Sequence, residues 1–157
     1  MLALADSRGL RLLEFVDRRG LEREIAQLGR LLRCAVVPGA NDGLNALETQ
    51  LRAYFAGERL TFDLPLAPVG SPFQHKVWAA LQRIPPGATR SYAEIAAEVG
   101  RAGASRAVGR ANGSNILAIV IPCHRVIAAD GSLSGYGGGR WRKRRLLEHE
   151  KAVGGKL

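Results

Sequence analysis

Asn115-Ile116-Leu117-Ala118-Ile119-Val120-Ile121-Pro122-Cys123-His124-Arg125 carries an apolar segment straight into three chemically active side chains. The apolar part, Ile116 to Ile121, is too short for a membrane-spanning helix, which needs roughly 20 such residues. β-Branched residues dominate it, so a buried strand is predicted. Pro122 has no N–H to offer a ladder and ends that strand. Cys123 comes next, with His124 and Arg125 beside it. A thiol so placed, near an imidazole and a guanidinium, is expected to be held toward thiolate. The plain alternative is an inert core cysteine, because free cysteine is among the most buried residue types.

Downstream, Val126-Ile127 reads as a strand, Asp130-Gly131 as a hairpin turn and Ser132 to Tyr136 as the returning strand of a wing. Gly135, Gly137, Gly138 and Gly139 make the next loop adaptable. A final helix is predicted from about Arg140 to Glu150. Its opening Arg140, Arg142, Lys143, Arg144 and Arg145 are unfavourable near a helix N-terminus unless they face phosphates or water.

Upstream, Ser71 followed by Pro72 starts a helix whose inward face is Phe73, Val77, Leu81 and Ile84. Pro85-Pro86-Gly87 ends it. Ser91 and Glu94 form a capping box for a helix over 92–99. A turn at Gly100 to Gly103 leads to a third helix, from Ala104 to about Asn112. Helix, short glycine-containing turn, helix is a helix-turn-helix pattern. The third helix is rich in small residues: Ala104, Ser105, Ala107, Gly109 and Ala111. Either it packs closely on a neighbour, or it is thin enough for a minor groove about half as wide as the major groove. Arg106 is the long basic side chain on its small-residue face.

The first part of the chain reads as a small mixed α/β unit. Leu2 to Ala5 and Leu10 to Val16 flank a turn at Asp6-Ser7-Arg8-Gly9, which predicts a hairpin. Leu21, Ile25, Leu28 and Leu32 fall on one face of a helix. A strand is predicted over 33–37. Leu44, Leu47, Leu51 and Tyr54 or Phe55 form the stripe of a second helix, ended by Gly57. Leu60 to Leu64 alternates like a strand, and Pro65 to Pro72 reads as a linker. The domain boundaries are therefore 1–67 and 71–153.

Charge divides at the same place. The net charge is +9. Residues 1–67 hold nine basic and nine acidic side chains, whereas residues 68–157 hold fourteen against five. A basic half joined to a neutral half points to one unit that meets a polyanion, although a generic basic surface has the same composition. The two cysteines, Cys34 and Cys123, make no disulfide framework, and no metal-ligand spacing is visible. The N-terminus has neither the basic region nor the long apolar region of a secretory signal. A reduced, cytoplasmic protein is expected.

The segment Ile121-Pro122-Cys123-His124-Arg125-Val126-Ile127 resembles the active-site signature of the 6-O-alkylguanine-DNA alkyltransferases, also called methylated-DNA–protein-cysteine methyltransferases. The resemblance runs from Ser71 to Glu150 nearly without gaps, and more loosely before it. It implies a ribonuclease H-like N-terminal domain, here short at its front edge, followed by a winged helix-turn-helix alkyltransferase domain. The implied reaction moves an alkyl group from the 6-oxygen of guanine in duplex DNA irreversibly to Cys123, once per molecule, after base flipping. The 4-oxygen of thymine is a second candidate target. His124 is implied as the base acting through a water, and Glu150 as its orienter. Asn115 is implied to link the recognition helix to the active-site segment. Tyr92 is implied to rotate the nucleotide and bond guanine N3, and Arg106 to fill the gap left by the base.

Ala104, Ser105, Ala107, Gly109 and Arg125 complete the implied DNA contacts. The carbonyls of Cys123 and Val126 would meet the exocyclic amine, and Tyr136 would wall the pocket. Gly137 stands where the family often has serine, keeping the N–H that meets the 6-oxygen. No cofactor, metal or membrane is implied; the partner is alkylated double-stranded DNA, bound through its minor groove by a monomer. Alkyltransferase-like sensors replace the acceptor cysteine, so Cys123 argues against them. A Cys-His-Glu hydrolase shares the residue types, but leaves the small-residue helix, Arg106 and the one-sided charge unexplained.

Overall fold

The computed structural model describes residues 1–155. It opens with an antiparallel hairpin, β1 (Leu2–Asp6) and β2 (Gly9–Glu14). Asp6 accepts from the Arg8 N–H at 2.9 Å, which closes the turn. Gly9, at φ 129°, lies against the Pro65 carbonyl, and a Cβ there would sit 2.3 Å from that oxygen. The free edge of β2 is used twice. Leu10 bridges to Leu66 and Leu13 to Leu117, both in parallel. The stretch expected to be a linker is thus tied down: Leu10 N–H donates to Pro65 O at 2.8 Å, and Ala67 N–H to Leu10 O at 2.9 Å.

Helix α1 (Leu21–Leu32) buries Leu21 and Leu28. Helix α2 (Asp42–Ala56) is capped by the Asn41 side chain and stopped by Gly57 at φ 77°; it buries Leu47 and Tyr54 and leaves Phe55 exposed. The strand expected over 33–37 does not form. Arg33 turns left-handed at φ 52° to end α1, and Val36 and Val37 are left exposed with no strand beside them. The strand expected over 60–64 is also absent. There the Gln50 carboxamide supplies what a neighbouring strand would, accepting from Asp63 N–H at 2.9 Å and donating to Asp63 O at 2.8 Å.

Helices α3 (Pro72–Gln82), α4 (Tyr92–Glu98) and α5 (Ser105–Gly113) form the helix-turn-helix half. Ser71 and Ser91 both close full capping boxes, with Gln74 and Glu94. Val77, Trp78, Leu81, Ile95 and Val108 make its core. The Trp78 indole N–H donates to Ala111 O at 2.9 Å and locks α3 to α5. Burial on this scale contributes about 1.5–3 kcal/mol per large apolar side chain.

Strands β3 (Arg90–Ser91) and β4 (Val126–Ile127) pair in parallel. The expected wing is reduced to its turn, with Gly131 N–H on Ala128 O at 3.0 Å and Ala128 N–H on Ser132 O at 3.1 Å. Residues 132–136 form no strand, and β4 takes its partner from β3 instead. Helix α6 (Arg140–Gly154) closes the molecule.

The run from Ile116 to Ile121 departs most from expectation. Its residues from Leu117 onward are buried, but they form no strand. After the bridge at Leu117 the chain coils through tight turns: Val120 N–H bonds Ala118 O at 2.8 Å, Ile121 N–H bonds Leu117 O at 2.9 Å, and Cys123 N–H bonds Ile121 O at 2.8 Å. Ile119 sits at φ 71°, a conformation costing a β-branched residue roughly 1–3 kcal/mol. Asn115 substitutes for the missing ladder. Its Oδ1 accepts from Leu117 N–H at 2.9 Å, and its Nδ2 donates to Ile121 O at 3.0 Å. Buried backbone groups must find partners, and here a side chain provides them.

Candidate active site behind the helix-turn-helix

Cys123 begins a single turn of 3-10 helix, Cys123–Arg125, and is buried. Its Sγ accepts from Asn115 Nδ2 at 3.1 Å. Burial pushes the thiol up to about 11, against which the Asn115 hydrogen bond pulls down. The resting group is therefore a thiol, not the thiolate its neighbours in sequence led us to expect. The reason is where those neighbours point. Arg125, expected at the DNA surface, is turned inward: its Nε donates to Glu150 Oε2 at 2.9 Å and its Nη1 to Ile84 O at 2.6 Å. The guanidinium serves Glu150, not the sulfur or a phosphate.

Glu150 is wholly buried and is bonded by four residues from three parts of the chain. His124 Nε2 and the Tyr54 hydroxyl lie 2.8 and 2.9 Å from Oε1, Arg125 reaches both oxygens, and Gly87 N–H lies 3.2 Å from Oε2. Burial alone would raise this carboxyl, but the hydrogen bonds from His124 and Arg125 outweigh it and hold the group well below the usual range. Burial pushes His124 down, so its imidazole is neutral. An ionised Glu150 accepts only, so the proton sits on Nε2 and leaves Nδ1 as a lone pair. That Nδ1 is buried and has no protein partner.

Tyr54 was read from the sequence as core only. Its partner lies 96 residues away on α6, a separation to which local pattern is blind. His149, also on α6, places Nε2 2.7 Å from Tyr54 O. Lys143 is one of the cations expected to face phosphates or water. It is fully buried, with Nζ 2.5 Å from Val126 O, and burial pushes its pKa down. Arg142 is half-buried along the surface, 2.8 Å from Asp17 and 4.4 Å from the ring centroids of Phe15 and Trp141. Arg140, Arg144 and Arg145 remain exposed.

A cavity of about 20 Å³ adjoins the sulfur. Asn112, Asn115, Tyr136 and Gly137 line it, with Glu14 and Arg18 from the first half. Glu14 and Arg18 are paired, and burial raises the Glu14 carboxyl to about 7 while the guanidinium pulls it back. The Arg18 guanidinium packs on Gly137, where a Cβ would lie 3.1 Å from its carbon. At Gly138 the Phe15 ring comes closer still, 2.6 Å from the same virtual position. Gly137 and Gly138 are therefore glycine because the first half leans on them.

The carbonyls expected to meet a guanine amine are already engaged: Cys123 O accepts from Asn112 Nδ2 at 3.3 Å and from the Val126 N–H, and Val126 O accepts from Lys143 Nζ. Tyr92 places its hydroxyl 2.7 Å from Ser134 Oγ, and its ring lies over Gly109, where a Cβ would come within 3.8 Å. That is an ordinary van der Waals distance, so packing on Tyr92 would tolerate an alanine at this position of α5. Ala104, Ser105 and Ala107 are half-buried, whereas Arg106 and Arg110, one turn apart, are exposed. Among the described residues, no group of His, Cys, Asp and Glu could hold a metal, and no helix is long and apolar enough to cross a membrane.

A buried thiol backed by a His–Glu pair, directly behind a helix-turn-helix, defines a DNA-binding module with a protected nucleophile. Comparison with known proteins narrows the class. Residues 72–152 match the family model for the 6-O-methylguanine DNA methyltransferase DNA binding domain, and residues 2–68 match that for its ribonuclease-like domain. The methylated-DNA–protein-cysteine methyltransferase of Mycobacterium bovis is 59% identical over 115 residues, spanning 73% of this chain and 68% of that protein. The crystal structure of Mycobacterium tuberculosis OGT in complex with DNA superimposes with a TM-score of 0.81 at 45% identity, covering 96% of this chain and 86% of that one. The O6-methylguanine-DNA methyltransferase of Pyrococcus kodakaraensis aligns with a TM-score of 0.64 at 25% identity, over 92% and 88%. The chain belongs to the 6-O-methylguanine DNA methyltransferase family.

Proposed function

We propose that this chain repairs duplex DNA by taking an alkyl group from the 6-oxygen of guanine onto Cys123 Sγ, once per molecule. The observation that carries this reading is the thiol bonded to Asn115 at the floor of a cavity, with a neutral, Glu150-oriented imidazole next to it in the chain. Residues 1–67 form the supporting domain and residues 71–153 the DNA-binding and acceptor domain. The protein acts as a cytoplasmic monomer without a cofactor.

The chemistry follows from the proton positions. His124 Nδ1 takes the thiol proton through a water, and Glu150 stabilises the resulting imidazolium. The thiolate attacks the alkyl carbon in line. The S–C bond forms as the C–O bond breaks, and the electron pair leaves with guanine. Tyr92, exchanging its bond to Ser134 for one to guanine N3, offsets that charge. The thioether has no hydrolytic exit, so turnover stops at one.

A space of about 20 Å³ does not hold a purine, so the base enters only as loop 135–139 and Tyr136 move aside. Helix α5 enters the minor groove with Ala104, Ser105, Ala107 and Gly109 along its contact face. Arg106 fills the place of the everted base, offsetting a flipping cost of a few kcal/mol. Exposed cations on α5 and α6 bind phosphates, so affinity falls with salt.

The test is a duplex oligonucleotide bearing 6-O-methylguanine, mixed with substoichiometric protein. The expected result is repair of one lesion per protein molecule and then none. Binding without transfer would indicate a sensor, and many lesions per molecule a true turnover enzyme; either would overturn the proposal.

A further inference from the structure

Two residues that line the cavity beside the sulfur carry buried polar atoms without a protein partner. Asn112 is 5% exposed, and its Oδ1 is buried with no hydrogen-bond partner in the protein. The Tyr136 hydroxyl is likewise buried and unpartnered. Both residues line the cavity that Cys123 lines. One offers a free acceptor, the other a hydroxyl that both donates and accepts. Their positions differ in firmness. Asn112 stands on α5 and is pinned by Nδ2 to the carbonyl of Cys123 at 3.3 Å. Asn112 therefore keeps its place in the cavity wall when the glycine loop opens. The volume, about 20 Å³, admits a group the size of one water or one hydroxyl.

We infer that the alkyl end of this pocket selects adducts bearing a hydroxyl, of which the 2-hydroxyethyl group on the guanine 6-oxygen is the smallest, with Asn112 as the specificity-determining residue. This rests on the repair function proposed above. The adduct's terminal O–H donates to Asn112 Oδ1 and its oxygen accepts from the Tyr136 hydroxyl. The reaction is otherwise unchanged. The thiolate bonds the carbon next to the 6-oxygen, that C–O bond breaks, its electron pair and a proton go to guanine, and S-hydroxyethylcysteine remains. An n-propyl adduct has nearly the same shape but no hydroxyl. It leaves both polar atoms buried against a methyl group, and a site built to bond a hydroxyl rejects such an analogue strongly.

The experiment measures single-turnover transfer from three duplexes carrying 6-O-methyl-, 6-O-(2-hydroxyethyl)- and 6-O-propylguanine. The full chain is compared with Asn112→Leu and Tyr136→Phe. Wild type is expected to take hydroxyethyl at least about tenfold faster than propyl. In Asn112→Leu the ratio falls to about one or below, and in Tyr136→Phe it falls part of the way. The ratio is internal to each preparation, so a variant that folds poorly still reports it, and wild type alone suffices if a variant cannot be made. Methyl transfer with a wild-type ratio near one would overturn the inference while leaving repair intact. A high ratio unmoved by either substitution would also overturn the assignment to these residues. No methyl transfer at all would sink the repair reading, and this inference with it.

Discussion

Two buried polar centres lie next to each other in this molecule, and they are finished to different degrees. At Glu150 every acceptor direction is filled, by Arg125, His124, Tyr54 and Gly87. At the sulfur, one donor from Asn115 is in place, while Asn112 Oδ1 and the Tyr136 hydroxyl, on residues that line the same cavity, have no protein partner. Unpartnered buried polar atoms are costly, and each calls for an explanation. Glu150 is a fixed frame, whereas the sulfur cavity is shaped for atoms that arrive with a substrate. His124 joins the two along the chain, with Nε2 committed to the frame and Nδ1 buried without a protein partner.

Breaking the frame is expected to have the largest effect. Glu150→Ala strands the Arg125 guanidinium in the interior, and loss of one partner of a buried pair costs about 3–5 kcal/mol. Chemical denaturation should show this, with transfer lost in parallel. Next comes Asn115→Ala, which strips partners from the backbone at Leu117 and Ile121 and removes the donor to the sulfur. A loss of about 1–3 kcal/mol is expected. The thiol should also titrate still higher, measurable as slower alkylation by a small haloacetamide at fixed pH.

Acid should loosen the frame in a defined window. Glu150 and His124 both bind protons less readily folded than unfolded. Their stabilisation is complete above their ordinary values and is lost as pH falls, first through the histidine range near 6.5 and then through the carboxylate range near 4.5. Unfolding free energy should therefore fall below about pH 4.5, with a shallower slope there in Glu150→Gln. Glu14 runs the other way: its carboxyl is raised to about 7, so its contribution is present in acid and lost as pH rises through 7. The smallest effect is expected for Tyr54→Phe. It removes one hydrogen bond to an otherwise well-satisfied carboxylate, at about 1 kcal/mol, with a transfer rate within a few-fold of wild type.

The same contrast separates what the sequence made legible from what it did not. Features set by near neighbours were readable: the hairpin turn at Asp6 to Gly9, the Ser91–Glu94 capping box, and the helix-turn-helix. The family was readable too, because Pro122-Cys123-His124-Arg125 is a local word. Glu150 as the partner of His124 came through resemblance to that family. Features set by distant packing were not readable. Nothing near Tyr54 announces Glu150, and nothing in a run of five basic residues singles out Lys143 for burial.

The segment from Ile116 to Ile121 misled for a related reason. Its composition reported burial, and burial was right; the ladder was assumed. Asn115 supplied the backbone's partners instead, leaving Ile119 free to take a positive φ. The inward turn of Arg125 has the same origin, since a carboxylate 25 residues away outcompetes solvent for its guanidinium.

The most direct test of the central claim is to locate the transferred group. Protein incubated with a methylated duplex is digested, and each cysteine-containing peptide is weighed. The account predicts one methyl on the peptide holding Cys123, none on that holding Cys34, and no loss of the lesion when Cys123→Ser is used. A methyl found on Cys34, or lesion removal by Cys123→Ser, would contradict it.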